Sequence, residues 1–126
     1  MDSRPGYISH VDKIGRDAFI ELFSGAEKPE EWFTENELRA FSFPRNAGSL
    51  AARYLVKRRI CMQLGGYELK MEIEVLNEES GKPFLNLSQS IRAAMEKAGI
   101  HRILCSLSHS KNHIAGLTVF CFEEDV

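Results

Sequence analysis

The hydrophobic period of this chain changes at Gly65-Gly66, and that change limits the folds open to it. Apart from a short "GYISHV" of strand character, the segment before the glycines reads as helical. Ile14, Ala18, Phe19, Leu22 and Phe23 recur at helical spacing in "DKIGRDAFIELFSG". Leu50, Tyr54, Cys61 and Leu64 fall near one side of "SLAARYLVKRRICMQLGG". After the glycines, "YELKMEIEVL" alternates Leu69, Met71, Ile73 and Val75 against Glu68, Lys70, Glu72 and Glu74, the two-residue period of a half-exposed strand. Helices and hairpin strands in that order predict an α+β fold, an antiparallel sheet packed by helices on one face.

Local signals punctuate this plan. Gly25 ends the first helix, and "EKPEEWFTENELRAF" is a turn and a short helix, with Thr34 and Glu37 spaced as a capping box. "FPRNAG" breaks the chain; its neighbour "FSFP" reads as a short core segment or, if exposed, a contact surface. "NEESGKP" is a turn, "FLNL" starts a second strand, and "SQSIRAAMEKAG" is an amphipathic helix from a serine cap to Gly99. "RILCSLSH" and "HIAGLTVFCFE" have the apolar, β-branched composition of buried strands. With 126 residues the chain is expected to form one domain, 1–126, with a small core.

A net charge of -2 gives no general attraction for nucleic acid or anionic membranes, so anion binding must come from local clusters. Cys61, Cys105 and Cys121 show neither a CxxC nor a zinc-type spacing, which suits reduced thiols. No apolar run approaches membrane-spanning length, and "MDSRPGYISH" lacks the apolar core of a signal peptide. A cytoplasmic location is expected.

Three segments carry chemistry. The helix at 49–66 holds Arg53, Lys57, Arg58 and Arg59 and not one carboxylate. Those cations form either a solvated stripe or the wall of a site for a phosphate-bearing ligand or acidic partner. "NEESGKPFL" leaves Lys82 at a hairpin tip, and "CSLSHSKNHIAG" gathers Ser106, Ser108, His109, Ser110 and Lys111 at a strand end, where such groups hold phosphates. Taken singly, each is also what an ordinary turn contains.

Taken in order, "FTENEL", "SLAARYLVKRRICMQLGG", "IEVLNEESGKPFL" and "CSLSHSKNHIAGLTVF" resemble the motifs of the holo-acyl-carrier-protein synthases, in the phosphopantetheinyl transferase superfamily, from about Ile8 to Phe120. Ala51, Arg53, Tyr54, Lys57, Leu64 and Gly65 match the family helix without a gap, as do Gly81, Lys82, Pro83 and Ser106, Ser108, His109 further on. The resemblance implies a 4′-phosphopantetheinyl transferase-like fold with one copy per chain. It implies transfer of the phosphopantetheine arm of coenzyme A to a serine of an apo acyl carrier protein, with 3′,5′-ADP leaving. By the same resemblance Lys57 and His109 are catalytic candidates, and Arg58, which departs from the family at its helix position, is a third on the strength of its own chemistry. Arg53, Lys82, Pro83, Ser108 and Ser110 join them around coenzyme A, and Arg16 faces the carrier protein. Small members of the family are trimers with sites between subunits, so a homotrimer is expected.

Three departures stand out. Where the family has its two magnesium carboxylates, this chain has His10 and Arg58, and the second helix lysine is Met62. Magnesium requires hard oxygen ligands. A guanidinium about 4 Å away repels it by roughly 4 to 8 kcal/mol at an effective dielectric near 20. His10 and Asp12 are the remaining metal candidates, and Asp12 opposite Arg58 reads as a salt bridge. His10 neutral, Asp12 and Arg58 sum to zero charge, as two carboxylates and a magnesium ion do. Arg58 is therefore read as standing in for the ion, its planar fork on a pyrophosphate oxygen. The alternative is a catalytically degenerate relative that binds coenzyme A or acyl carrier protein, or serves as a structural partner subunit.

Overall fold

The computed structural model describes residues 6–122. Residues 1–5 of the N-terminal segment, and Glu123 at the end of the last expected strand, lie outside the described residues. The elements run β1 (Tyr7–Gly15), α1 (Arg16–Ser24), α2 (Pro29–Trp32), α3 (Glu35–Ala40) and α4 (Ala47–Leu64), then a 3-10 segment (Tyr67–Glu72). The remainder is β2 (Ile73–Asn77), β3 (Pro83–Leu87), α5 (Gln89–Lys97), β4 (Ile100–His109) and β5 (His113–Phe122). β1, β5 and β4 form an antiparallel sheet in that order, and β2–β3 is a separate hairpin. The fold is α+β, as expected.

Helix α4 organises both halves of the core. Twelve of its 18 residues are buried, so it runs through the molecule rather than lying on it. Its first half packs with Phe19, Phe23, Trp32, Phe33 and Ile114. Val56, Ile60 and Cys61 of its second half pack with Ile73, Val75, Ile91, Ile103 and Phe120. Gly116 lets the helix sit close on β5: a Cβ there would stand 3.2 Å from the Ala52 carbonyl, Leu55 Cβ and Val56 Cγ2. Gly116→Val should therefore destabilise the fold by about 1–3 kcal/mol through overpacking. Thermal unfolding reads this directly, and an unchanged melting temperature would contradict the close approach.

Local signals hold where they act over one turn. Thr34 and Glu37 form the capping box, Ser88 caps α5 through the Ile91 amide, and Gly65 ends α4 at a φ of 102°. Phe41 and Phe43 of "FSFP" pack on the first core cluster, as the core reading of that segment expects.

Three expectations are corrected. Asp12 to Gly15, read as the start of a helix, belong to β1, because β5 offers them a partner residue by residue from Tyr7↔Cys121 to Gly15↔His113. "YELKME" is a 3-10 turn and not strand. Its would-be partner β3 ends at Leu87, where Ser88 starts α5 and donates its amide to the Glu72 carbonyl. Without a neighbouring strand, residues 67–72 close their hydrogen bonds locally. β4, read as fully buried, is an edge strand whose Arg102, Leu104, Ser106 and Ser108 are exposed.

That exposure belongs to a whole sheet face. Ile14, Ile103, Ile114 and Phe120 point to α4 and the core. On the opposite side Tyr7 pairs with Cys121, Val11 with Leu117 and Leu104 with Val119. Tyr7, Val11 and Leu104 are 64%, 60% and 44% exposed. No described helix covers this apolar face.

Candidate functional site

The acid that α4 lacks in sequence is supplied from other elements. Lys57 is fully buried, and its Nζ donates to Glu37 Oε1 on α3 and to the Trp32 carbonyl, both at 2.5 Å. Burial lowers the Lys57 pKa, and the Glu37 charge works against that shift. Glu37 also accepts the Val75 amide at 2.8 Å and the Thr34 amide at 2.9 Å. Thr34 Oγ1 in turn donates to Glu74, which accepts from Asn86 at 3.0 Å. Desolvation pushes the Glu74 pKa up, but hydrogen bonds from Thr34, Asn86 and Asn36 outweigh it and hold the pKa low.

Arg53 is buried as well. It donates to the Val75 carbonyl, the Ser49 carbonyl and Asn77 Oδ1, each at 3.0 Å, and lies 4.1 Å over the Phe41 ring. It ties the β2–β3 hairpin to the helix. Both basic-helix readings thus fail for Arg53 and Lys57: neither is solvated, and neither faces a surface where a nucleotide could lie. The reason is that α4 is central, so a position one turn from another cation meets a neighbouring element instead of water.

The remaining two cations lie nearer the surface. Arg59 makes a two-pronged bond to Asp12 on β1, Nη2 to Oδ1 at 2.6 Å and Nε to Oδ2 at 3.0 Å. The partner of Asp12 is thus Arg59 and not the expected Arg58. One residue turns the side chain by about 100° around the helix, which separates the two guanidiniums. Arg58 is exposed, and the neighbouring Tyr67 side chain, with smaller help from the Asp12 charge, raises its pKa. Tyr67 rests 5.9 Å from the buried Trp32 ring, and Trp32 lies 4.8 Å from Tyr54.

The residues do not fit magnesium. Asp12 gives both oxygens to Arg59, and His10 offers only a nitrogen where magnesium prefers oxygen, its ring set edge-on to Phe120 at 6.0 Å. Among the described residues no group of three or more His, Cys, Asp or Glu side chains converges. Cysteine chemistry is equally unsupported: burial pushes the Cys61 and Cys105 thiols up to about 11, which leaves little thiolate at neutral pH.

The strand-end residues lie elsewhere. His109 and Arg16 meet over Gly48 at the start of α4, where an added Cβ would stand 2.8 Å from Arg16 Nη2 and 3.0 Å from His109 Nδ1. Arg16 clamps the β4–β5 turn through the Lys111 carbonyl at 2.6 Å and the Ser110 carbonyl at 3.2 Å. Its guanidinium therefore has an internal role beside the partner contact expected of it. Ser108 and His109 point to opposite sides of β4, since Ser108 pairs with Ala115 and His109 with Ile114. Ser108 and Ser110 line, with Lys13 and His113, a pocket of about 440 Å³. Lys82 is exposed at the hairpin tip, and Pro83 begins β3.

Within one chain, then, the expected site residues do not converge. Gly48, under His109, and Arg58 are ten residues apart on α4, about 15 Å along its axis. Sequence reasoning missed Glu37 beyond its cap role, Arg59 as the partner of Asp12, and Tyr67. Only the capping-box spacing pointed at any of them.

No family model matches this chain. It is 36% identical to the holo-[acyl-carrier-protein] synthase of Clostridium botulinum (strain Alaska E43 / Type E3) over 84 residues, 63% of this chain and 67% of that one. Identity to the Treponema denticola protein of the same name is 34%, over 71% of this chain and 77% of that one. For the Ruminiclostridium cellulolyticum protein it is 32%, over 89% and 86%. Among solved structures, the ACPS–CoA complex of Chronobacterium ammoniagenes superposes with a TM-score of 0.76 at 21% identity, covering 95% of this chain and all of that one. The holo-ACP-synthase of Plasmodium yoelii gives 0.73 at 20%, with the same coverage. These likenesses place the fold, and with the sequence relationships they show that the chain belongs to the holo-[acyl-carrier-protein] synthase family.

Proposed function

We propose that this protein transfers the 4′-phosphopantetheine group of coenzyme A to a serine of an apo acyl carrier protein. The family relationship, which extends over most of the chain, carries this reading. In the reaction the serine Oγ forms a bond to the phosphopantetheine phosphorus and the bond from that phosphorus to the bridging oxygen breaks. The serine proton passes to a base, the His109 imidazole or a water, and 3′,5′-ADP leaves. Arg58 is the cation of α4 placed to hold the diphosphate, with Lys82, Pro83, Ser108 and Ser110 as further contacts and Arg16 near the carrier protein.

Arg58 and His109 stand too far apart in one chain to act on one diphosphate, so the site draws them from two copies. The uncovered sheet face of β1, β5 and β4 supplies an apolar surface for such an assembly, and a homotrimer is its expected form. The three free cysteines fit a reducing compartment, the cytoplasm. No described helix is long and apolar enough to cross a membrane.

A second reading is favoured by one observation: the positions of both expected metal carboxylates hold His10 and Arg58, and Met62 replaces the second helix lysine. On that reading the protein binds coenzyme A or the carrier protein without transfer. Incubation with apo carrier protein, coenzyme A and magnesium, followed by mass spectrometry, separates the two. A gain of one phosphopantetheine on the carrier is expected. Thermal stabilisation by coenzyme A with no mass gain would instead select the binder.

A further inference from the structure

We infer that this protein holds the coenzyme A diphosphate without a divalent metal ion, through the exposed Arg58 beside Tyr67, while Arg59 keeps the Asp12 carboxylate from serving as a ligand. The inference rests on the proposed coenzyme A site and specifies its chemistry. Three features of the fold carry it.

The first is the state of Asp12. Both of its oxygens accept from Arg59, and the pair is mostly covered, with side chains 23% and 18% exposed. A metal ion would have to displace a two-pronged guanidinium, among the stronger polar contacts a carboxylate makes. The second is Arg58. Alone among the four cations of α4 it is exposed and has neither a carboxylate in an ion pair nor a buried carbonyl among the described residues. Guanidinium donors in that condition match the oxygens of a diphosphate. The third is Tyr67. Its ring leans on Trp32, which is buried and itself bonded through Nε1 to Glu27 at 2.8 Å. Tyr67 thus flanks Arg58 with a ring packed on the core, which limits the range of the guanidinium and lowers the entropy lost on binding. Tyr67 acts through Arg58 and is a positioning residue.

Calorimetric titration of coenzyme A into the protein in EDTA and in magnesium gives the test. Affinity should agree within about twofold between the two, and Arg58→Ala should lose roughly 10- to 100-fold in both, the effect of a charged hydrogen-bond donor. Tyr67→Phe keeps the ring and should weaken coenzyme A binding by about threefold or more while the melting temperature stays unchanged. Arg58→Glu alone should not create a magnesium site, because Arg59 still holds Asp12. Arg58→Glu with Arg59→Gln frees one carboxylate and adds another, and should make binding magnesium-dependent. Binding by the unaltered protein that vanishes in EDTA and returns with magnesium overturns the inference but leaves the transferase reading standing. A double variant indifferent to magnesium would remove Asp12 and position 58 from a shared site and overturn it too. Absence of coenzyme A binding under every condition overturns the coenzyme A reading itself.

Discussion

Glu37→Gln should cost about 3–5 kcal/mol of stability, the usual penalty for leaving one member of a buried ion pair unanswered. The glutamine amide has one carbonyl oxygen, so it can accept from the Thr34 amide or the Val75 amide but not from both, which Glu37 takes on different oxygens. It cannot neutralise Lys57, whose side chain has no solvent exposure. Against a typical total of 5–15 kcal/mol for a small domain, that loss is severe. Lys57→Met should cost less than Glu37→Gln, since Glu37 keeps two amide donors. Lys57→Met combined with Glu37→Gln should recover much of the loss, because two neutral groups replace an unpaired charge. Urea denaturation of the three variants gives the comparison. A Glu37→Gln protein within about 1 kcal/mol of the parent would show that the pair is not what holds α3 and β2 onto α4.

The same network sets two pH responses of the same sign, at opposite ends of the pH scale. The lowered Lys57 pKa means that the unfolded chain binds a proton there more readily than the folded one. Stability from this group therefore rises with pH between its lowered folded value and the ordinary 10.5. The Glu74 pKa lies below its ordinary 4.5, so its stabilising effect is present above that value and is lost as pH falls through the folded value.

Complementation should reveal a site shared between copies. Arg58→Ala and His109→Ala assemblies should each be close to inactive in phosphopantetheine transfer. If each site takes Arg58 from one copy and His109 from the next, random mixing leaves about a quarter of sites with both residues intact. Activity should therefore return on unfolding and refolding the two variants together, and not on mixing them pre-assembled. Failure to recover activity in co-refolded material would place both residues in one chain's site or remove one of them from catalysis. The separation of about 15 Å along α4 between Arg58 and Gly48, which His109 overlies, argues for recovery of activity. Val11→Asp on the open sheet face should give a monomer by light scattering, with transfer lost along with the assembly.

Whatever depends on neighbours along the chain was legible in the sequence. The capping box at Thr34 and Glu37, the serine cap at Ser88, the glycine stop at Gly65 and the turn before Lys82 all act within about one turn. They appear in the fold where the residues place them. The ordered motifs also pointed to the family. Partners far apart in sequence were not legible. Arg59 meets Asp12 across 47 positions, Arg53 meets Val75 across 22, and Lys57 meets Glu37 across 20. A row of four cations therefore looked like one surface, although two lie inside the protein, one is matched by a strand carboxylate, and Arg58 alone faces outward with a tyrosine for support. The chain by itself determined the helices, turns and lineage, because those follow from local hydrogen bonding and the order of residues. The tertiary structure alone decided which charges are neutralised inside and which remain for a ligand, because desolvation and ion pairing depend on distances that close only when the chain is packed.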